Sequence, residues 1–170
     1  MIQSTTLRPA SDNDLEFLYR VYASTRTEEL AVVPWSAAEK DAFLRMQFEA
    51  QHRYYHQQFV AASFDIVLRH GEPAGRLYVE ERPDEIRIID IALLPRYRGR
   101  GIGSALLQDI LERGAALALP VRIHVEKNNP ALSLYHRLCF RQVEDQGVYY
   151  LMEWTPASPQ PGNEGTNGHP

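Results

Sequence analysis

Between Glu85 and Leu117 the apolar pattern changes period, and that change restricts the folds open to this chain more than any other feature. Glu85 to Leu94 reads as a strand, bounded before by Arg82-Pro83-Asp84 and after by Pro95. Beyond Pro95 the period moves from two to about three and a half, with Ile102, Leu106, Ile110 and Leu117 on one helix face until Pro120 stops it. A strand handed to a helix through a short loop is the working unit of an α/β sheet. This loop carries Gly99, Gly101 and Gly103.

The rest of the chain is read around that unit. Ile2 to Arg8 reads as a first strand, and Pro9-Ala10-Ser11-Asp12 supplies cap candidates for a helix bearing Leu15, Leu18, Tyr19 and Tyr22. Ser36 followed by Glu39 is a capping box for a longer helix running to about Gln57, with Phe43, Met46, Ala50 and Tyr54 as its expected apolar face. Phe64 to Arg69, a turn at His70-Gly71-Glu72-Pro73, and Ala74 to Glu80 make a hairpin, so three successive antiparallel strands precede the loop. Val121, Ile123 and Val125 alternate with Arg122 and His124 as another strand. Asn129-Pro130 opens a helix whose inward face is Ala131, Leu134, Tyr135 and Leu138; strands Phe140 to Glu144 and Val148 to Trp154 close the domain. The order β, α, α, βββ, α, β, α, ββ predicts an α/β sheet with mixed strand directions in one domain, 1–154. Residues 155–170 hold almost nothing apolar, which predicts a disordered tail.

Composition narrows the partners. At 170 residues and 44% hydrophobic content the chain supports one compact core. A net charge of −4 with scattered basic residues leaves no broad footprint for nucleic acid or an anionic membrane. The small cluster Arg96, Arg98 and Arg100 suits a phosphate-bearing ligand instead. Cys139 is the single cysteine, so neither an intrachain disulfide nor a cysteine metal cage forms, and no metal is expected. No secretory signal and no run of roughly 20 apolar residues is visible, so the default expectation is a cytoplasmic protein.

Glycines between a strand and a helix let backbone N–H groups approach an anion, and the positive end of the helix dipole adds to the attraction. The guanidinium groups of Arg98 and Arg100 are candidates to pair with phosphate oxygens. The spacing fits neither the dinucleotide fingerprint nor a Walker A loop, since the third glycine of the first and the Gly-Lys-Ser/Thr of the second are absent.

The segment Ile91-Ala92-Leu93-Leu94-Pro95-Arg96-Tyr97-Arg98-Gly99-Arg100-Gly101-Ile102-Gly103 resembles the acetyl-coenzyme A signature of the GNAT superfamily of N-acetyltransferases, (Q/R)xxGx(G/A), with Arg96, Gly99 and Gly101 at the defined positions. The resemblance implies a mixed, mostly antiparallel sheet of about six or seven strands flanked by about four helices. It also implies acetyl-coenzyme A as acyl donor. Backbone groups of Ile91, Ala92 and Leu93 would pair with pantetheine like an added strand, and the amides from Arg98 through Gly99, Arg100, Gly101, Ile102 and Gly103 to Ser104 would cradle the pyrophosphate.

Asn128-Asn129-Pro130 through Leu134-Tyr135 to Cys139-Phe140 resembles the family's second stretch, with Cys139 where glycine is usual. Cysteine there is asked to take a left-handed helix end, so the turn need not keep the glycine form. By the same resemblance Tyr135 is the candidate general acid for the departing thiolate, and Asn128 and Asn129 both stand as cofactor-contact candidates, Asn129 also being placed as a helix N-cap. An ammonium acceptor must lose a proton before attack, and Asp90 and Glu80 are the leading candidates to receive it, ahead of His124. Transfer is expected to be direct, in a ternary complex, because Cys139 is the one candidate covalent nucleophile and its setting looks structural. The helix from Ser36 and its lead-in from Arg26 are dense in aromatic and imidazole groups and would border the acceptor; His52 and His56 lack a third ligand for a metal. By the same resemblance the acceptor would be an amine on a small molecule, a protein N-terminus or a lysine. A noncatalytic acyl-coenzyme A sensor is the alternative, and the terminal strands allow a homodimer.

Overall fold

The computed structural model describes residues 4–157, so most of the expected tail, 155–170, lies outside the described residues. Seven strands form one sheet in the order β1-β2-β3-β4-β5-β7-β6. They are β1 (Thr5–Pro9), β2 (Ser63–Arg69), β3 (Glu72–Glu81), β4 (Ile86–Leu93), β5 (Val121–Glu126), β6 (Arg141–Gln146) and β7 (Tyr149–Trp154). The α-helices are α1 (Leu15–Ser24), α2 (Thr27–Ala31), α3 (Ala37–Gln58), α4 (Ile102–Leu117) and α5 (Leu132–Arg137). Every neighbouring strand pair is antiparallel except β4 and β5, which α4 joins as a parallel pair by a crossover.

Two cores lie on the two faces. Phe17, Leu18, Val21 and Tyr22 of α1, with Leu44 and Phe48 of α3, cover one face against Ile66 and Tyr78. Ile102, Leu106 and Leu107 of α4, with Tyr135 of α5, cover the other against Leu77, Ile86, Ile88 and Ile123. Each fully buried side chain of this size contributes roughly 1.5–3 kcal/mol. The β2–β3 connection is tighter than the four-residue turn expected: His70 and Gly71 alone turn it, both at positive φ (50° and 79°), which matches the right-handed twist of the flanking strands.

Two features depart from the sequence expectations. The short α2 joins the about four helices expected; it buries no residue, so no apolar period announces it. The inner face of α3 is also not the expected one. Ser36 caps the helix through its Oγ, 3.1 Å from the Glu39 amide, but Met46 and Tyr54 are 61% and 55% exposed. The buried stripe is Leu44 and Phe48, continued by Gln51 and Tyr55, whose polar ends meet buried charge on the sheet. An apolar count misplaces a helix face that is half polar.

The parallel pair matters most for function. β4 and β5 pair only from Ile86–Ile88 against Val121–Ile123. A bulge follows at once: Val79 faces Ile88 and Tyr78 faces Asp90, leaving Ile89 as the extra residue. Beyond it β4 stays with β3 while β5 diverges, opening a notch in the sheet.

Candidate active site

One wall of the notch is the free edge of β4. Leu94 N–H donates to Ala74 O at 2.9 Å, so alternation turns the N–H and C=O of Leu93 and Ile91 away from β3 and into the notch. Ala92, between them, is directed to β3. The Leu93 carbonyl accepts from Arg98 Nε at 2.9 Å, and the same guanidinium donates from Nη2 to Ser24 Oγ at 3.2 Å. Arg98, expected to face phosphate, thus ties the end of α1 to the strand edge.

The notch ends at the glycine loop. A single 3₁₀ turn, Pro95–Tyr97, leads into it, with the Arg98 amide on Pro95 O at 3.2 Å, so that amide is already committed. Gly99 (φ 70°) and Gly101 (φ 78°) are both left-handed, and an added Cβ would meet nothing within 4 Å at either. Their requirement is backbone conformation, not space. The first helical bond runs from Ala105 to Gly101 O at 3.0 Å. Among the described residues no hydrogen bond is made by the amides of Gly99, Arg100, Gly101, Ile102, Gly103 or Ser104, and the positive end of the 16-residue α4 stands behind them. Arg100 is exposed and forms no ion pair among the described residues.

Asp90 and Tyr135 flank the notch from opposite faces. Asp90 Oδ2 accepts from Arg76 Nη2 at 2.7 Å and from Tyr55 Oη at 3.3 Å, and Arg76 Nη2 also donates to Gln51 Oε1 at 2.9 Å. Tyr135 is buried on α5, edge-on to Phe140 at 5.4 Å between ring centroids. Burial, then the charge of Asp90, pushes its phenol well above the ordinary value, so it stays protonated and able to donate near neutral pH.

The other candidates separate. Glu80 accepts from Arg82 Nε at 2.6 Å and lies opposite Arg87, at the level where β4 and β5 are still paired, so the structure does not bring it to the notch. His124 is exposed, its Nδ1 3.1 Å from Arg87 Nη1; burial of part of the ring and that guanidinium hold it below its usual value. Asn129 Oδ1 accepts from the Ala131 amide at 2.9 Å and so starts the α5 turn, whereas Asn128 makes no side-chain hydrogen bond among the described residues.

Cys139 keeps the glycine form of the turn, which a cysteine there need not have done. Its φ is 68°, and Cys139 N–H to His136 O (3.1 Å) with Phe140 N–H to Tyr135 O (3.0 Å) completes a Schellman motif. That conformation costs a non-glycine residue roughly 1–2 kcal/mol, partly offset by the lower unfolded-state entropy of cysteine. Cys139→Gly is therefore expected to raise stability by about 0.5–1 kcal/mol in urea unfolding.

Sequence reasoning missed Arg76, Gln51 and Ser24, and saw Tyr55 only as one of the aromatic groups of the long helix. A signal for Arg76 existed: it is an arginine inside the apolar middle of β3, Ala74 to Val79, with an aspartate in the next strand. Reading it required the hairpin register.

A splayed parallel pair ending in free amides at a helix N-terminus is an arrangement suited to a long, phosphate-tailed ligand. The sequence profile described as "Acetyltransferase (GNAT) family" matches residues 17–140, and the chain belongs to this family, whose members use acetyl-coenzyme A. It is 26% identical over 163 residues to histone acetyltransferase MCC1 of Arabidopsis thaliana, covering 85% of this chain and 63% of that protein. It is 39% identical over 77 residues to N-alpha-acetyltransferase RimI of Mycobacterium tuberculosis, covering 44% of this chain and 47% of the relative. Both matches thus span less than two thirds of the relative. The fold is similar to that of PaiA N-acetyltransferase from Thermoplasma acidophilum, solved in complex with coenzyme A, with a TM-score of 0.68 at 19% identity over 90% of this chain and 99% of that one. Among the described residues no helix is long and apolar enough to cross a membrane, and no three His, Cys, Asp or Glu side chains group to hold a metal.

Proposed function

We propose that this chain transfers the acetyl group of acetyl-coenzyme A to the α-amino group of a polypeptide N-terminus, directly and in a ternary complex. The observation that carries the reading is the notch itself. It has a strand edge whose Ile91 and Leu93 groups face outward, a loop of six free amides at one end, and Tyr135 and Asp90 on either side.

The residues fit coenzyme A. Ile91 and Leu93 would hold the amide-rich pantetheine arm, the amides of Gly99 to Ser104 the pyrophosphate, and Arg100 and Asn128 are free to add contacts. When bound, the cofactor supplies a thioester as the activated acyl donor. Tyr135 holds the proton that the leaving thiolate needs. Asp90 presents Oδ1 to an N–H of the neutral acceptor amine and orients its lone pair, and the proton that nitrogen loses as the C–N bond forms and the C–S bond breaks passes to solvent. Cys139, exposed at the far end of α5, takes no part.

The chemistry of the base favours an α-amine. Asp90 is already charge-paired, and Glu80 and His124 face arginines. An α-ammonium (pKa about 7.7–8.0) is partly neutral near pH 7.5, whereas a lysine (about 10.4) is neutral in only about one molecule in a thousand. A site without a dedicated strong base suits the first. The similarity to an N-alpha-acetyltransferase agrees with this.

Thiol release from acetyl-coenzyme A, measured with a panel of lysine-free peptides carrying free N-termini and a matched panel of N-blocked lysine peptides, tests the reading. The expected result is at least about tenfold higher kcat/KM for the first panel at pH 7.5. Preference for lysine would overturn the acceptor, and saturable binding without turnover on either panel would favour the noncatalytic sensor.

A further inference from the structure

We infer that Arg76 is a positioning residue: it holds the Asp90 carboxyl by Oδ2 and leaves one oxygen, Oδ1, turned to the acceptor amine. The inference rests on the role given to Asp90 above.

Arg76 is only 3% exposed, in the middle of β3, and burying a guanidinium is costly unless its donors are satisfied. They are not all satisfied. Nη2 serves both Asp90 Oδ2 (2.7 Å) and Gln51 Oε1 (2.9 Å), but among the described residues Nε has no hydrogen-bond partner, and neither does the buried hydroxyl of Tyr78, whose ring lies 5.1 Å from the guanidinium carbon. A buried arginine that leaves a donor unpaired is poorly explained by stability, since apolar side chains of similar volume commonly replace buried ion pairs at no loss. What it does accomplish is geometric. With Tyr55 it saturates Oδ2, while Oδ1 makes no hydrogen bond among the described residues and the Asp90 side chain keeps 16% of its surface exposed.

The bulge at Ile89 and the length of α3 serve the same arrangement. The extra residue puts Asp90 opposite Tyr78 on the face that α3 covers, and α3 reaches it from above with Gln51 and Tyr55, one helical turn apart. The titratable groups around Asp90 are Arg76 and Tyr78 from β3, Tyr55 and His52 from α3, and Tyr135 from α5, with Tyr149 of β7 near Tyr55. Burial pushes the phenols of Tyr55, Tyr78 and Tyr135 upward and the imidazole of His52 downward, so near neutral pH Arg76 is, among the described residues, the one cation held against this carboxylate.

Without Arg76 the Asp90 carboxylate keeps only the Tyr55 hydroxyl on Oδ2 and is free to turn away from the notch. In acetyl transfer to one N-terminal peptide, Arg76→Met should lower kcat/KM for the peptide about tenfold while leaving the KM for acetyl-coenzyme A within about twofold of wild type, and Arg76→Lys, which keeps a charge without the fork, should recover part of the loss. Thermal unfolding recorded alongside separates positioning from lost stability. A peptide kcat/KM unchanged in Arg76→Met, or an equal loss for both substrates, would overturn the inference. If Arg76→Met does not fold, Arg76→Lys and Tyr55→Phe carry the same test with smaller losses. Asp90→Asn separates the two levels: full activity in that variant sinks the role of Asp90, whereas lost activity there beside a fully active Arg76→Met sinks only the role of Arg76.

Discussion

Replacing Tyr135 with phenylalanine is expected to lower kcat about a hundredfold and to leave acetyl-coenzyme A binding intact, the lower end of what a positioned general acid contributes. The substitution is unusually clean. The ring keeps its place on α5, buried and edge-on to Phe140, so packing is unchanged. The hydroxyl makes no hydrogen bond among the described residues, so its removal strands no partner, and stability should hold within about 0.5 kcal/mol. What is lost is a proton held at an elevated pKa beside the notch. Steady-state kinetics with an N-terminal peptide, set beside the thermal shift given by acetyl-coenzyme A, separates the two effects. A variant that keeps more than half the wild-type kcat would remove Tyr135 from the chemistry.

The second large effect is expected at Gly99. Valine there must take φ near 70°, a conformation that a β-branched residue avoids, although nothing stands within 4 Å of the new Cβ. The loop will relax away from the left-handed conformation, and the amides from Gly99 onward will no longer converge. A loss of roughly 2–3 kcal/mol in binding corresponds to a Kd for acetyl-coenzyme A raised roughly 30-fold to 150-fold by calorimetry. Gly103 is the internal control. It lies inside α4 with ordinary backbone angles and open space, so Gly103→Ala should keep or slightly raise stability. Equal binding by wild type and Gly99→Val would mean that the loop does not hold the phosphates.

Much of this protein was legible in its sequence, and the limits have physical causes. The change of period at Pro95 and the glycines after it marked the strand, loop and helix that border the notch, because local conformation depends on local residues. The alternation at Val121, Ile123 and Val125 and the inward stripe through Tyr135 were legible for the same reason. The inner face of α3 was not, because Gln51 and Tyr55 are buried through their partners and not through apolarity. Arg76 was hidden by register, since its meeting with Asp90 depends on a bulge at Ile89 that no pattern of period two announces. The diversion of Arg98 from phosphate to Leu93 and Ser24 depends on where α1 ends, a tertiary fact. Cys139 shows the converse, a tertiary turn strong enough to impose a glycine conformation on another residue.

Acetyl-coenzyme A is expected to lie along the β4 edge with its phosphates on the glycine loop. Amide ¹H–¹⁵N spectra recorded during titration with acetyl-coenzyme A read this placement residue by residue. Saturable shifts are expected to concentrate on Gly99 to Ser104, on Ile91 and Leu93, and on the indicator residues Asn128 and Tyr135 across the notch. Saturable shifts centred elsewhere, such as the groove between α1 and α3, or no saturable shifts at all, would contradict it.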